Sequence, residues 1–355
     1  MLVEEKKKNI GENIVLSCGK TKKVIGIKNT IHVVIFLLLG ITSTFSLFIL
    51  AANSYINFFL YCPGILFYIL TIGCLILSFI TEPGIIPRNH PAHIIKEDSK
   101  VTIANTNDEE VIPSIFTERV CPTCNIIRPP KVSHCSACDN CVINFDHHCF
   151  YISNCVGYRN HRYFFLMMFF GICLAGYLIC FGIYHFISVI LYDNFDDKNV
   201  FVIIYKKYPV IFILSLMLIL ISTVPLSMDI AYLAIIIALI GYISLSVLFY
   251  KCKVRNFPFF YNLFSLPVIV SSFFFLLFLL NNFVKTLSVV SSGFTTKQQA
   301  SIQKEYFNIK YNNSGKKLKE EYTRKKRFKE KVNNIIEFLF KRKQIDSLID
   351  QKRDL

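Results

Sequence analysis

The stretch CPTCNIIRPPKVSHCSACDNCVINFDHHCFYISNC, residues 121–155, holds seven of the chain's 13 cysteines and three histidines. In order it offers Cys121-x2-Cys124, His134-Cys135, Cys138, Cys141, Asp146-His147-His148-Cys149 and Cys155. Cys-x2-Cys is the spacing with which a tight turn aims two thiolates at one zinc ion. A secreted domain could spend such a cluster on disulfides. The interleaved histidines and the apolar runs on either side favour metal in a reducing, cytosolic setting. Two closed tetrahedral sites take eight ligands, and the stretch offers ten Cys and His. One Cys and one His are left over beside Asp146. A thiol, an imidazole and a carboxylate make a nucleophile, its base and an orienting group. Spacing alone does not say which Cys and which His those are.

Around this stretch the composition is that of a membrane protein: 53% of the 355 residues are hydrophobic and 34 are Phe. A bilayer core of roughly 30 Å needs about 20 apolar residues per helix. Apolar runs lie at about 31–52, 58–80, 163–191, 210–226, 230–250 and 259–290. If the Cys-rich stretch and the basic C-terminal tail share the cytosolic side, the number of crossings between them is even. Six spans satisfy this but put Lys251, Lys253 and Arg255 in a lumenal loop, against the positive-inside rule; four follow if two runs do not cross. The expected fold class is an all-α polytopic membrane protein, with four to six transmembrane helices and a small cytosolic two-zinc Cys-rich domain.

The expected organisation is a cytosolic N-terminus (1–30), transmembrane helices 1–2 (31–80), a cytosolic linker (81–118), the Cys-rich zinc domain (119–162), the remaining transmembrane helices (163–290) and a basic cytosolic tail (291–355). Residues 119–162 show almost no helical or strand periodicity, and no internal repeat is apparent. So small a segment cannot bury enough apolar surface to fold alone, so metal must supply the stability. The first apolar run is too long for a cleavable signal and reads as a signal-anchor helix.

The formal net charge of +15 is unevenly spread. From Lys297 onward there are 17 Lys and Arg against 8 Asp and Glu, and the first thirty residues hold seven Lys against three Glu. Because these basic segments flank membrane spans, anionic lipid is the expected partner and nucleic acid is not. Residues 318–343 read either as a basic amphipathic helix on the membrane surface or as a solvated charged tail.

Asp146-His147-His148-Cys149 within this framework resembles the DHHC family of protein palmitoyltransferases. The resemblance is close from Cys121 to about Tyr163 and includes Arg128-Pro129, Cys155-Val156-Gly157 and Asn160. It implies that Cys121, Cys124, His134 and Cys141 bind one structural zinc, and Cys135, Cys138, His148 and Cys155 a second. It implies that Cys149 is the nucleophile, His147 its base and Asp146 the group that orients His147. The implied reaction is transfer of a long-chain acyl group from acyl-CoA (palmitoyl-CoA) to a protein cysteine through an S-acyl-Cys149 intermediate.

Two family motifs are altered. The usual Asp-Pro-Gly is Glu82-Pro83-Gly84, and the usual Thr-Thr-x-Glu is Thr295-Thr296-Lys297-Gln298. By resemblance Thr296 hydrogen-bonds Asp146, and Gln298 puts the anchoring of that segment in question. For the phosphates of coenzyme A, Arg128, Lys131, Arg159 and Arg162 are candidates, with lipid headgroups or the local fold as the alternative use of each. Implied partners are the lipid bilayer and membrane-associated substrate proteins with cytosolic cysteines; an accessory subunit or homo-oligomer is left open. The compartment is endomembrane (Golgi or ER) or plasma membrane. The rival readings are a membrane zinc scaffold without activity and a RING-like zinc module. The latter gives no use to Asp146, His147 and Cys149.

Overall fold

A computed structural model describes residues 13–18, 21–26, 61–88, 110–192, 257–311, 317–318 and 328–340. Among these, three helices are long and apolar enough to cross a membrane: Cys62–Ile80, His161–Tyr184 and Phe275–Ser292. They belong to α1 (Cys62–Ile80), α2 (His161–Tyr192) and α3 (Phe257–Ser292). The runs expected at about 31–52, 210–226 and 230–250 lie outside the described residues. Proline at the second position of α1 falls where the helix has no amide to satisfy. The helix ends at Glu82-Pro83-Gly84, where Gly84 takes φ +110°, a value that a side chain would strain. Leu66 and Ile69 of α1 and Ile183 and Ile187 of α2 are exposed, as apolar faces turned to lipid are.

The chain divides into two compact units. One comprises Leu39–Thr71 and Met168–Asn282. Its described core is Leu178 and Phe181 packed with Tyr61, Leu174 and Tyr177. The Tyr177 ring lies so close to Gly64 that any β-carbon there would meet it at 2.3 Å. The other unit comprises Met1–Leu38, Ile72–Met167 and Phe283–Leu355 and contains the whole Cys-rich stretch.

That stretch is built of strands, so the all-α expectation fits the described membrane helices and not this region. Three antiparallel hairpins follow one another: β5–β6 (Arg119–Cys121, Ile126–Arg128), β7–β8 (Val132–Cys135, Asn140–Ile143) and β9–β10 (His147–Cys149, Asn154–Val156). Upstream lie a hairpin of β1 (Asn13–Cys18) and β2 (Thr21–Gly26), then β3 (Ile85–Ile86) and β4 (Glu110–Val111). Downstream are α4 (Thr296–Tyr311), β11 (Lys317–Leu318), which pairs with β4 in parallel, and α5 (Phe328–Phe340). Strands of three or four residues are too short to print an alternation, which is why the sequence shows none.

The hairpins do repeat, contrary to the reading from sequence. Cys121 pairs with Ile126, Cys135 with Asn140 and Cys149 with Asn154. Asn125, Asp139 and Ser153 turn the three chains with φ of 52°, 52° and 47°. Each position recurs fourteen residues on. The interval is shorter than the roughly 20–50 residues of solenoid and propeller repeats.

β3 extends the β7–β8 sheet, pairing Ile85 with Val142 and Ile86 with Cys141. Neighbouring strand residues face opposite ways. Ile85 accordingly packs in a core with Cys135, Cys138, Val142, Phe145 and Cys155, and Ile86 in another with Cys121, Cys124, Ile126, Val132 and Cys141. One dipeptide thus covers both cysteine clusters.

Two buried asparagines join the sheet to the end of α1. Asn154 Nδ2 donates to the carbonyls of Phe79 (3.1 Å) and Thr81 (3.2 Å), and Asn160 Nδ2 to those of Ser78 (3.1 Å) and Cys155 (2.8 Å). The last carbonyls of a helix have no partner within it, so these amides satisfy groups that would otherwise be stranded. Their oxygens accept the N–H groups of Cys155 and Gly157. Asn160→Asp removes the donor from two carbonyls at once. It is expected to cost about 2–6 kcal/mol, at roughly 1–3 kcal/mol for each of the two unsatisfied groups, read as a lower thermal midpoint in detergent.

Candidate active site and metal centres

In each of the first two hairpin turns a Cys-x2-Cys pair meets a cross-strand His and Cys from the next hairpin. His134 pairs with Cys141 across β7–β8, and His148 with Cys155 across β9–β10. The structure thereby brings together Cys121, Cys124, His134 and Cys141, and separately Cys135, Cys138, His148 and Cys155; in each group one donor atom per residue lies within 4.8 Å of the others. His134 Nδ1 stands 3.7, 3.4 and 3.9 Å from the sulfurs of Cys121, Cys124 and Cys141. His148 Nδ1 stands 3.8, 3.3 and 3.8 Å from those of Cys135, Cys138 and Cys155. A tetrahedral zinc with Zn–S of about 2.3 Å and Zn–N of about 2.0–2.1 Å places nitrogen and sulfur roughly 3.5–3.6 Å apart. Both donor sets fit a zinc ion. Their second nitrogens are free to be oriented: His134 Nε2 faces the Asp139 carboxylate at 3.7 Å, and Asp139 is ion-paired with Arg88.

The electrostatics of the thiols point the same way. The Cys141 thiol, hydrogen-bonded to Cys124, holds Cys124 down at about 5 and is itself pushed far above the ordinary thiol range. In the second group the Cys138 hydrogen bond holds Cys135 low, and the bond to Cys135 pushes Cys155 well up. Three sulfurs this close cannot all ionise beside one another without a cation to share.

The third hairpin is different. His147 and Cys149 are two residues apart on β9 and therefore face one side, while His148 faces the other. That alternation hands His148 to the second cluster and leaves His147 and Cys149 together. His147 Nδ1 is 2.8 Å from Asp146 Oδ2, and the same ring is hydrogen-bonded to Cys149. Phe164 lies edge-on to the ring at 5.4 Å. Asp146 is buried, and its Oδ1 accepts the backbone N–H of Thr296 at 2.5 Å. The donor at Thr296 is thus the first amide of α4, whose positive end faces the carboxylate.

Burial pushes the Asp146 carboxyl up. The hydrogen bond from His147, the charges of His161 and His147, and the Thr296 amide outweigh it and hold the group at about 2. Burial likewise pushes His147 down, but hydrogen bonds and charge from Asp146 and Cys149 raise it to about 10. The two shifts are of opposite sign, as a carboxylate–imidazolium pair requires.

Both altered motifs make the contacts that their places call for. Glu82 is buried. Its Oε1 accepts the N–H groups of Gly84 (2.6 Å) and Ile85, and Oε2 pairs with Arg159. Thr295 and Gln298 form a reciprocal capping box: Gln298 Oε1 accepts the Thr295 N–H (3.1 Å), and Thr295 Oγ1 accepts the Gln298 N–H (3.3 Å). Gln298 Nε2 donates to Asn144, and the Thr295 hydroxyl donates to the carbonyl of Phe145. The α4 segment is therefore anchored at Gln298 without a carboxylate.

Of the four basic candidates, Arg159 is engaged by Glu82, Arg128 donates to the Val120 carbonyl, and Arg162 lies over the Tyr163 ring at 4.8 Å. Lys131 is exposed in the turn before β7. Asn154 and Asn160 as clamps went unread from sequence. Two asparagines flanking the last cysteine were the available signal.

The DHHC palmitoyltransferase family profile matches residues 114–232, about a third of the chain. Over these residues the chain is similar to the DHHC palmitoyltransferases. It is 34% identical over 180 residues to palmitoyltransferase erf2 of Schizosaccharomyces pombe, covering 41% of this chain and 44% of that protein. It is 39% identical over 97 residues to human palmitoyltransferase ZDHHC14 (24% and 20%), and 32% identical over 112 residues to probable protein S-acyltransferase 3 of Arabidopsis thaliana (27% of each). The chain thus spans less than half the length of these curated relatives.

Two outcomes test the division of labour on β9. His148→Ala is expected to lose one of two zinc equivalents and much of the fold, while His147→Ala keeps both, measured by metal analysis of purified protein. Asp146→Asn is expected to move the His147 titration midpoint down from about 10 toward the ordinary 6.5, followed by NMR of the labelled ring. Because the folded value is the higher one, the stabilisation that this group contributes is complete below 6.5. It is lost as pH rises through about 10.

Proposed function

We propose that this chain is a membrane-embedded protein S-acyltransferase that uses Cys149 as its nucleophile. The observation that carries the reading is the His147–Cys149 pair held on one face of β9 by a buried carboxylate, beside two complete metal-ligand sets. Cys149 attacks the thioester carbonyl of a long-chain acyl-CoA, giving up its proton to the imidazole side of the pair. The coenzyme A sulfur leaves with its electron pair and takes a proton from His147. In the second half a substrate cysteine passes its proton to His147, attacks the acyl-enzyme and releases Cys149. One thioester replaces another in each half, so the energy of the bond is kept and the kinetics are ping-pong. Asp146 holds the ring in register throughout.

The zinc ions that the two donor sets fit would be structural, closing the hairpins. The membrane helices offer an apolar environment for the acyl tail, at roughly 0.8 kcal/mol per buried CH2. In this reading the chain has four to six spans, with segments 1–30, 81–118, 119–162 and 291–355 on the cytosolic side. Its substrates are membrane-associated proteins with cytosolic cysteines, on endomembrane or plasma membrane. Arg128, Lys131, Arg159 and Arg162 remain the candidates for coenzyme A phosphates, and Lys131 is the exposed one among them. The inactive-scaffold alternative drew on Glu82 and Gln298, and both make the hydrogen bonds their places require.

Detergent-solubilised protein incubated with a clickable palmitoyl-CoA should acquire a hydroxylamine-labile label, and Cys149→Ser should not. No label on folded, zinc-loaded protein would refute the reading.

A further inference from the structure

The three hairpins place Cys121, Cys135 and Cys149 at one structural position, each pairing with the residue five places on. The three are buried alike, at 3%, 4% and 4% exposure. The second turn position is Cys124 and Cys138 in the first two copies and Ile152 in the third, where the side chain is wholly buried. The residue after it is left-handed in every copy. Asn125 and Asp139 adopt that conformation at little cost, whereas Ser153 has no such preference. A ligand-bearing turn has therefore kept its backbone in the one copy that lacks the second ligand. The partner pair is missing too, because the chain enters α2 at His161 where a fourth hairpin would start.

We propose that the turn carrying Cys149 is a third, metal-free copy of the zinc-binding turn. In it Ile152 is the positioning residue that keeps Cys149 at a ligand's place and out of reach of metal. The proposal rests on reading Cys149 as the nucleophile. A thiolate is both a nucleophile and a zinc ligand, and a sulfur bound to zinc is withdrawn from attack. A domain that would collect two zinc ions among three short hairpins needs a means of refusing a third at its reactive sulfur. Ile152 offers no donor, so Cys149 cannot chelate through its own turn. The turn still fixes the sulfur at the end of β9 as firmly as it fixes the first cysteine of each true site.

The test uses full-length protein in detergent, with Ile152→Cys, which restores the Cys-x2-Cys spacing, and Ile152→Val as the conservative control. Zinc content is measured before and after one added equivalent, and alkylation of Cys149 by iodoacetamide is followed by peptide mass. Wild type and Ile152→Val are expected to hold two zinc ions and to alkylate at a rate that zinc does not change. Ile152→Cys is expected to hold a third ion and to alkylate about tenfold more slowly or less, since the bound sulfur is no longer a free thiolate. Brief chelation that leaves two ions should restore the rate. Ile152→Cys holding only two ions, with alkylation indifferent to zinc, overturns the proposal; so does zinc blocking Cys149 in wild type. If Ile152→Cys sheds its resident ions, Ile152→His supplies the second donor and the same outcomes decide. If wild type forms no acyl-enzyme while Ile152→Cys captures a third ion, the acyltransferase reading falls and only the metal-free third copy of the turn stands. If wild type forms the acyl-enzyme and Ile152→Cys captures no third ion, the acyltransferase reading stands and this proposal falls.

Discussion

The alternation of a three-residue strand governs the site. On β9 the odd side chains, His147 and Cys149, share a face, and His148 takes the other. Metal capture of His148 and Cys155 would lock that strand against β10, and with it the direction in which the remaining imidazole and thiol point. A slip of one residue would exchange the two histidines, handing the proposed base to the metal site and the proposed ligand to the side of Cys149. Ligand geometry and reactive geometry are thus one register, written twice.

The protein supports that register from several sides with ordinary contacts. Asp146 is held by the first amide of α4, and α4 is held at its start by the Thr295–Gln298 capping box. Glu82 ties the exit of α1 into β3 and into Arg159. In both altered motifs the function carried by the position is hydrogen bonding with a given geometry. A longer carboxylate or an amide of the same reach can supply it.

Much of this was legible from residues alone, because zinc ligands are few in kind and strict in spacing. Counting ten donors against eight places exposed a leftover Cys and His before any fold was known. The described helices α1, α2 and α3 coincide with apolar runs, since span length is set by the bilayer. The strands were illegible because three or four residues carry no usable period. The fourteen-residue repeat was hidden by Ile152, which removes the cysteine that would have announced the third copy. The resemblance named Thr296 as a partner of Asp146, but that the donor is its backbone amide was not readable from residue type, since any residue at 296 but proline provides one.

The asparagine clamps carry a consequence for reach. Asn154 and Asn160 fasten the active-site hairpin and the start of α2 to the carbonyls of Ser78, Phe79 and Thr81 at the end of α1. Asn154 is also the direct cross-strand neighbour of Cys149. With α1 in the bilayer, the reactive sulfur has a fixed altitude above the lipid, set by a few hydrogen bonds and not by a flexible stalk. On the proposed acyltransferase reading, a target cysteine would have to come to that height. The sequence around it would then matter less than the length of chain between it and its own membrane anchor, so such an enzyme would measure its substrates more than read them.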